Sequence, residues 1–541
     1  MPGSHPAPDG GGSLRWEGRT SSEGEHMPSA MKVPHADTSA GALSGIRLTT
    51  PHGPVEAFLG VPYATLGPGR LRFVPGRAPD GWAGARDCSR PGPAAPQNPS
   101  PFGSGADSPS SHQDDLHGLN LNIWAPAGAK RGRPVLFWIH GGANIIGSNS
   151  EPLHDGAALA AGGDLVVVAV NYRLGVFGFL HLERAAHGSA LSNGAVHDLI
   201  TALRWVRDEI AQFGGDPSNV TIGGQSAGAA LVGTLLGVPT ATGLFRRAIM
   251  QSGTAERVHA PAEASAVTCD ILRHLGIDVS EASTVFDRPT SELLAAQSAV
   301  CLEYQSRTVG LSVPFQPVVD GTLLPASPLD AVRAGLNRTV DLLIGTNRNE
   351  ASLSLAFGPP REPKELARTL RGEIAADLGG ALSPEQYVRA VQSDVGHRPS
   401  EAEALEAYLS DRSYRQPSNR LLEARLGGEG LNFCYLFDWA SPAMNGRLGA
   451  CHGAELPFVF GTLDRAAAAF FVGVQPPPEL SSRMMTAWAA FARTGRPGGW
   501  ATYREGSRHT QVWDENPIGR SDPRPALRAL WSAVSAQSRS A

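Results

Sequence analysis

Apolar positions along the chain follow two periods. "PVLFWIH" (134–140) and "DLVVVAVNY" (164–172) are continuous runs rich in β-branched residues, as expected of strands buried on both faces. "RAIMQSG" (247–253), "VDLLIGTN" (340–347) and "LNFCYLFDW" (431–439) also read as strands. Between them, "GAVHDLITALRWVRDEIAQF" (194–213) places Val196, Leu199, Ile200, Leu203, Val206 and Ile210 on one helical face. "RMMTAWAAFARTG" reads as a helix stopped at Gly495. Strands alternating with helices predict an α/β fold with a mostly parallel, twisted central sheet flanked by helices.

From residue 350 to about 430 the pattern changes to charged helical segments such as "EPKELARTLRGEIAADL", which predict a mostly helical insertion or lid. The chain is thus divided into an N-terminal tail over 1–40 expected to be disordered, one domain over 41–535, and a C-terminal tail over 536–541.

Composition narrows the function classes. A net charge of -5 with 18% charged residues leaves no basic surface for nucleic acid or anionic lipid. No apolar run is long enough to span a membrane, and the N-terminus lacks the apolar core of a signal peptide. Five cysteines without CxxC or Cys/His spacing indicate neither a disulfide framework nor a metal site, and fit a reducing, cytoplasmic compartment. Only Lys32, Lys130 and Lys364 are lysines among 46 basic residues, a GC-rich coding bias that points to a bacterial source. Monomer and homodimer stay open.

The chemistry centres on "TIGGQSAGAALVG" (221–233). In a Gly- and Ser-rich chain, a chance G-x-S-x-G is expected roughly half a time, so the five residues alone are weak. Their context is stronger: "DPSNVTIGG" reads as turn and strand, and the run after Ser226 as a buried helix. A strand–turn–helix junction is what an exposed nucleophilic serine requires. The alternative is a serine capping that helix. Upstream, "WIHGGANIIGS" places glycines after a strand end, either as oxyanion donors or as an ordinary turn. Taken singly, Glu350 fits a solvated loop charge and His452 a structural histidine.

Several blocks carry a further resemblance: "LGVPYA" (59–64), "RLRF" (70–73), "LNLNIWAP" (119–126), "NYRLGVFGFL" (171–180), "FGGDPSNVTI" (213–222), "PVVDGTLLP" (317–325), "GTNRNE" (345–350), "CHGAELPFVFG" (451–461) and "FARTG" (491–495). From about Gly45 to Trp531 the chain resembles the type B carboxylesterase/cholinesterase family of α/β-hydrolases. The resemblance implies a serine hydrolase of carboxylic esters that needs no cofactor or metal. It implies Ser226 as nucleophile, Glu350 as acid and His452 as base, in the chain order of the fold. The implied oxyanion donors are the N–H groups of Gly142, Ala143 and Ala227, with Ser252 as nearby support and Cys451 as an apolar filler. Amide, carbamate or lactone hydrolysis uses the same parts, and a non-catalytic binding module of this fold is the remaining alternative.

The chain departs from the family pattern at several places. Ala95 and Gly118 stand where a family disulfide often lies, so that bond is expected to be lost as a unit. Leu116 and His117 replace an acidic pair, which puts a structural contact in doubt. Asn144 stands where an aromatic often follows the oxyanion glycines. Gln225 replaces a frequent glutamate, and reads as lying outside the proton-transfer chain. Between Pro96 and Asp115 there is no tryptophan to hold a quaternary ammonium, so a choline ester is not expected.

Overall fold

A computed structural model describes residues 33–100, 111–182, 192–358 and 361–540. In chain order the strands are β1 (His35–Thr38), β2 (Gly41–Ser44), β3 (Ile46–Thr50), β4 (Gly53–Pro62), β5 (Ala85–Asp87), β6 (Asn120–Pro126) and β7 (Arg133–Ile139). They continue with β8 (Val166–Val170), β9 (Gly215–Gln225), β10 (Arg247–Gln251), β11 (Asp341–Asn347), β12 (Asn432–Phe437), β13 (His509–Trp513) and β14 (Ile518–Ser521). Among the described residues, eleven strands form one sheet in the order β14-β13-β12-β11-β10-β9-β7-β8-β6-β4-β3. Every pairing from β8 through β7, β9, β10, β11 and β12 to β13 is parallel, and the flanking pairings are antiparallel. The fold is that of the α/β-hydrolases.

Alternation along the central strands explains their unbroken apolar sequences. Val135, Phe137 and Ile139 of β7 face one core with Val166, Val168 and Val170 of β8, while Leu136, Trp138, Val167 and Ala169 face the other. The helix Gly194–Glu209 closes the first core with Leu199, Leu203 and Val206. The helix Pro478–Thr494 closes the second with Met484, Trp488 and Phe491, and ends at Gly495 with φ 76°. Each strand must therefore be apolar on both sides.

The sheet also has a reversal that creates a site. The chain steps from β7 outward to β8, then returns to lay β9 on the other side of β7. Loops leaving β7 and β9 consequently diverge and leave a crevice at their carboxyl ends, where ligands bind in open α/β sheets.

A buried ion pair ties the β8 exit to the first helix. Arg173 Nε and Nη2 donate to Asp198 Oδ2 and Oδ1 at 2.8 and 2.6 Å, and Asp198 Oδ2 also accepts from Arg173 N–H at 3.1 Å. The remaining guanidinium donors reach the carbonyls of Arg72, Val74 and Gly194. With both partners essentially unexposed, Asp198→Ala leaves a bare buried guanidinium and is expected to cost about 3–5 kcal/mol in urea unfolding.

The structure revises several details of the sequence reading. β1 lies inside the segment read as tail: four mostly polar residues carry no apolar period, and the strand forms by pairing with β2. At the other end, the helix Pro525–Ser540 continues through the residues assigned to a C-terminal tail. The doubtful acidic contact near Leu116 is supplied one residue earlier, where Asp115 Oδ2 accepts from Arg72 Nη1 at 3.2 Å and Thr290 Oγ1 at 2.7 Å. A Cβ on Gly118 would stand 3.1 Å from Ala95 Cα, so the two residues in place of the family's disulfide are neighbours. All five cysteines are unpaired. No helix among the described residues is long and apolar enough to cross a membrane.

Candidate active site

β9 ends at Gln225, and the helix Ala227–Leu236 begins immediately afterwards, with Ser226 alone making the turn. Its backbone, φ 57° and ψ -124°, is a conformation that side chains other than glycine rarely adopt, costing about 1–3 kcal/mol. The turn is held because Ser226 N–H donates to Gln251 O of the neighbouring strand at 2.9 Å. Ser226 occupies the N-cap position, yet its side chain caps nothing, which removes the capping alternative. It is partly exposed, with buried residues on either side.

The glycines of the motif permit this close approach. A Cβ on Gly228 would press into the Ile139 carbonyl oxygen and stand 2.6 Å from His140 O, so the helix sits against the end of β7. Gly228→Ala must push helix and strand apart. It is expected to destabilise the protein by at least about 2 kcal/mol in urea unfolding.

The loop leaving β7 meets this turn. A Cβ on Gly141 would stand 2.9 Å from Gln225 O and 3.1 Å from Ser226 Cβ. Gly142, Ala143 and Asn144 follow with φ of 108°, 54° and 62°. This run of positive φ was not legible at Ala143, since alanine carries no signal for it. Among the described residues, the N–H groups of Gly142, Ala143 and Ala227 donate to no protein acceptor, leaving three donors beside Ser226. His140 underpins the loop: its ring stacks on Tyr172 and its Nδ1–H donates to Gly141 O at 2.8 Å. Burial pushes its pKa down to about 4, so this imidazole stays neutral. Asn144 points away, donating from Nδ2 to Phe315 O at 2.9 Å.

Glu350 and His452 come together from loops after β11 and β12. The loops are joined by a bridge between Asn349 and Cys451 and by Asn347 Nδ2, which donates to Cys451 O at 2.6 Å. His452 Nδ1 lies 2.6 Å from Glu350 Oε2, and Glu350 Oε1 accepts Asn347 N–H at 2.7 Å. The Glu350 side chain is fully buried, and that of His452 is 14% exposed, so the ring keeps one edge toward solvent. With Nδ1–H donating to the carboxylate, Nε2 carries the free lone pair.

That lone pair has an occupant that the sequence did not disclose. Gln225 Nε2 stands 3.2 Å from His452 Nε2, so the amide donates to the imidazole. Gln225, read from the sequence as lying outside the proton-transfer chain, touches the imidazole directly. As the last residue of β9 it shares the strand end with Ser226, and its side chain reaches the ring. No direct hydrogen bond joins Ser226 Oγ to His452 in this conformation.

Sequence reasoning missed three more groups. The Tyr414 ring packs 4.9 Å from the His452 ring. Buried Glu455 accepts from Asn347 Nδ2 at 2.6 Å and Gln251 Nε2 at 3.1 Å, and burial followed by the nearby Glu350 charge raises its pKa. Gln251 in turn accepts from Trp488 Nε1 at 2.7 Å. Glu455 lies inside the block 451–461 and Gln251 at the end of β10, but nothing local marks either as part of the site; their proximity, and that of Tyr414 from the helical turn Asp411–Arg415, arises only when these elements converge. Ser252 is fully buried with φ 52°, and its Oγ has no partner, so support for the turn comes from the Gln251 carbonyl instead. Cys451 is buried with its thiol pushed up to about 12 by burial and then by Glu455, which fits an inert filler.

The Carboxylesterase family model matches residues 32–526. The chain belongs to the carboxylesterase family. This carboxylesterase is 34% identical over 507 residues to the para-nitrobenzyl esterase of Bacillus subtilis (strain 168), covering 91% of this chain and 97% of the relative. It is 33% identical to the phenmedipham hydrolase of Pseudarthrobacter oxydans, covering 87% and 93%. A solved carboxylesterase of Geobacillus stearothermophilus superimposes with a TM-score of 0.78 at 36% identity, covering 92% of this chain and 99% of the other.

Proposed function

We propose that this carboxylesterase hydrolyses small aromatic or aliphatic carboxylic esters through an acyl-enzyme, with Ser226 as nucleophile, His452 as base and Glu350 as the residue that orients the base. The observation that carries the reading is the buried 2.6 Å pair between Glu350 and His452, which leaves Nε2 basic at the mouth of the crevice where Ser226 stands on its strained turn. In this scheme the Gln225 amide moves off Nε2 as the Ser226 hydroxyl takes its place, and the proton passes to His452 as Oγ attacks the ester carbonyl. The developing oxyanion is received by the N–H groups of Gly142, Ala143 and Ala227. His452 then gives its proton to the departing alcohol, takes one from the water that attacks the acyl-enzyme, and returns it to Ser226 Oγ as the Oγ–acyl bond breaks and the acid leaves.

The helical segment over 350–430 is assigned a share of the pocket, supported by the Tyr414 contact with His452. Five unpaired cysteines support a reducing compartment.

A panel of nitrophenyl esters of increasing acyl length, with matched anilides and carbamates, tests the substrate class. Ester turnover with the other two at their uncatalysed rates supports the reading; amide cleavage equal to ester cleavage overturns it.

A further inference from the structure

A cavity lies between β11, β12 and β13, the helix Gln416–Ala424 and the segment Asp522–Arg528. It measures about 50 Å³ and is lined by Arg415, Tyr503, Arg508, Asp522, Arg524 and Arg528, among others. At roughly 10–15 Å³ per water-sized group, it has room for about three to five heavy atoms.

Three buried donors on these residues have no partner: Arg415 Nε, Tyr503 Oη and Arg508 Nε. Arg415 is 8% exposed and Tyr503 5%. The rest of Arg415 is engaged, with Nη1 on Asp411 and Nη2 on the carbonyls of Asn347 and Arg348 at 3.3 and 3.0 Å, so its Nε direction is fixed. Burial raises the Tyr503 pKa, so its hydroxyl keeps the proton it would donate.

The lining itself carries four arginines, Arg415, Arg508, Arg524 and Arg528, against one carboxylate, Asp522. Arg415 is paired with Asp411 and Arg528 with Asp522, the latter at 2.8 Å. Arg508 and Arg524 form no ion pair with any described residue. Burial, and then repulsion from Arg415, pull Arg524 down to about 10, which leaves it protonated at neutral pH. Asp411 and Glu406 act on Arg524 electrostatically and Glu423 on Arg528, but none of the three lines the cavity. Water could satisfy the three idle donors. An anion would satisfy them and also face the two guanidiniums that touch no carboxylate.

We propose that this cavity is a binding site for one small oxyanion, a carboxylate or a phosphate, held by the idle donors of Arg415, Tyr503 and Arg508 and by the unpaired charges of Arg508 and Arg524. Planar guanidiniums and a phenol match such an anion in geometry and number. None of these residues belongs to the proposed proton-transfer chain.

The test uses the full-length protein. Inorganic phosphate and acetate are titrated separately, against chloride at matched ionic strength, by isothermal calorimetry and thermal unfolding. The wild type is expected to bind one anion per chain, with a saturable rise in Tm above the chloride control. Arg524→Gln and Arg508→Gln should each weaken binding about tenfold or more, the loss of a charge-assisted contact. Preference for phosphate or for acetate identifies which oxyanion the site takes. Absence of saturable binding by the wild type, or binding undiminished in the glutamine variants, would overturn the proposal. Should Arg524→Gln fail to fold, Arg508→Gln and Tyr503→Phe carry the comparison.

Discussion

Ser226→Ala is expected to lower kcat on a short-chain nitrophenyl ester by about 10⁴-fold or more, while Tm stays within about 2 °C of the wild type. The two halves of this result have separate causes. Activity falls because alanine has no oxygen to attack the carbonyl, and the oxyanion donors and binding contacts alone supply only the residual rate. Stability holds because alanine keeps the Cβ, so the strain of the φ 57°, ψ -124° turn is unchanged. The hydroxyl caps no helix, and removing it costs no structural hydrogen bond. Steady-state kinetics beside a melting curve reads both.

Glu350→Gln is expected to lower kcat by about 10⁴-fold with little change in KM. The substitution preserves volume and keeps one oxygen for the Asn347 N–H, but the other oxygen, now 2.6 Å from His452 Nδ1, becomes an NH2 group. A donor facing Nδ1–H favours the opposite tautomer, with the proton on Nε2 where the base must accept. The fold should tolerate the change, because Glu455 shares the same buried region and loses a repulsive neighbour. A large fall in kcat with an unchanged melting temperature is therefore the expected pattern. A variant retaining more than a tenth of wild-type kcat would exclude Glu350 as the orienting acid.

Legibility differed with the range of the interactions. The β7 and β8 strands were visible because both faces are buried and their composition is apolar without interruption. The turn at Ser226 was visible because a strand-like run and a buried helical run flank the glycine motif, and the structure shows those glycines permitting contacts that a Cβ would forbid. Glu350 and His452 are different: nothing in either loop's own sequence marks it as catalytic, and both residues emerged from the family resemblance. What stayed hidden depends on side chains meeting across elements. Gln225 reaching His452, Tyr414 packing on the same ring, and Glu455 held by Asn347 and Gln251 have no sequence period. β1 escaped for another reason, since its partner rather than its composition makes it a strand. The central β-sheet was thus readable from local pattern, whereas the electrostatic setting of the crevice was not.

Labelling with a fluorophosphonate, followed by peptide mass spectrometry, tests the role of Ser226 most directly, because the reagent marks an oxygen made nucleophilic by a neighbouring base. The expected result is one adduct per chain on the peptide containing Ser226, with esterase activity lost in proportion and no adduct on Ser252. Complete inactivation with Ser226 unmodified and the label on another residue would contradict the account.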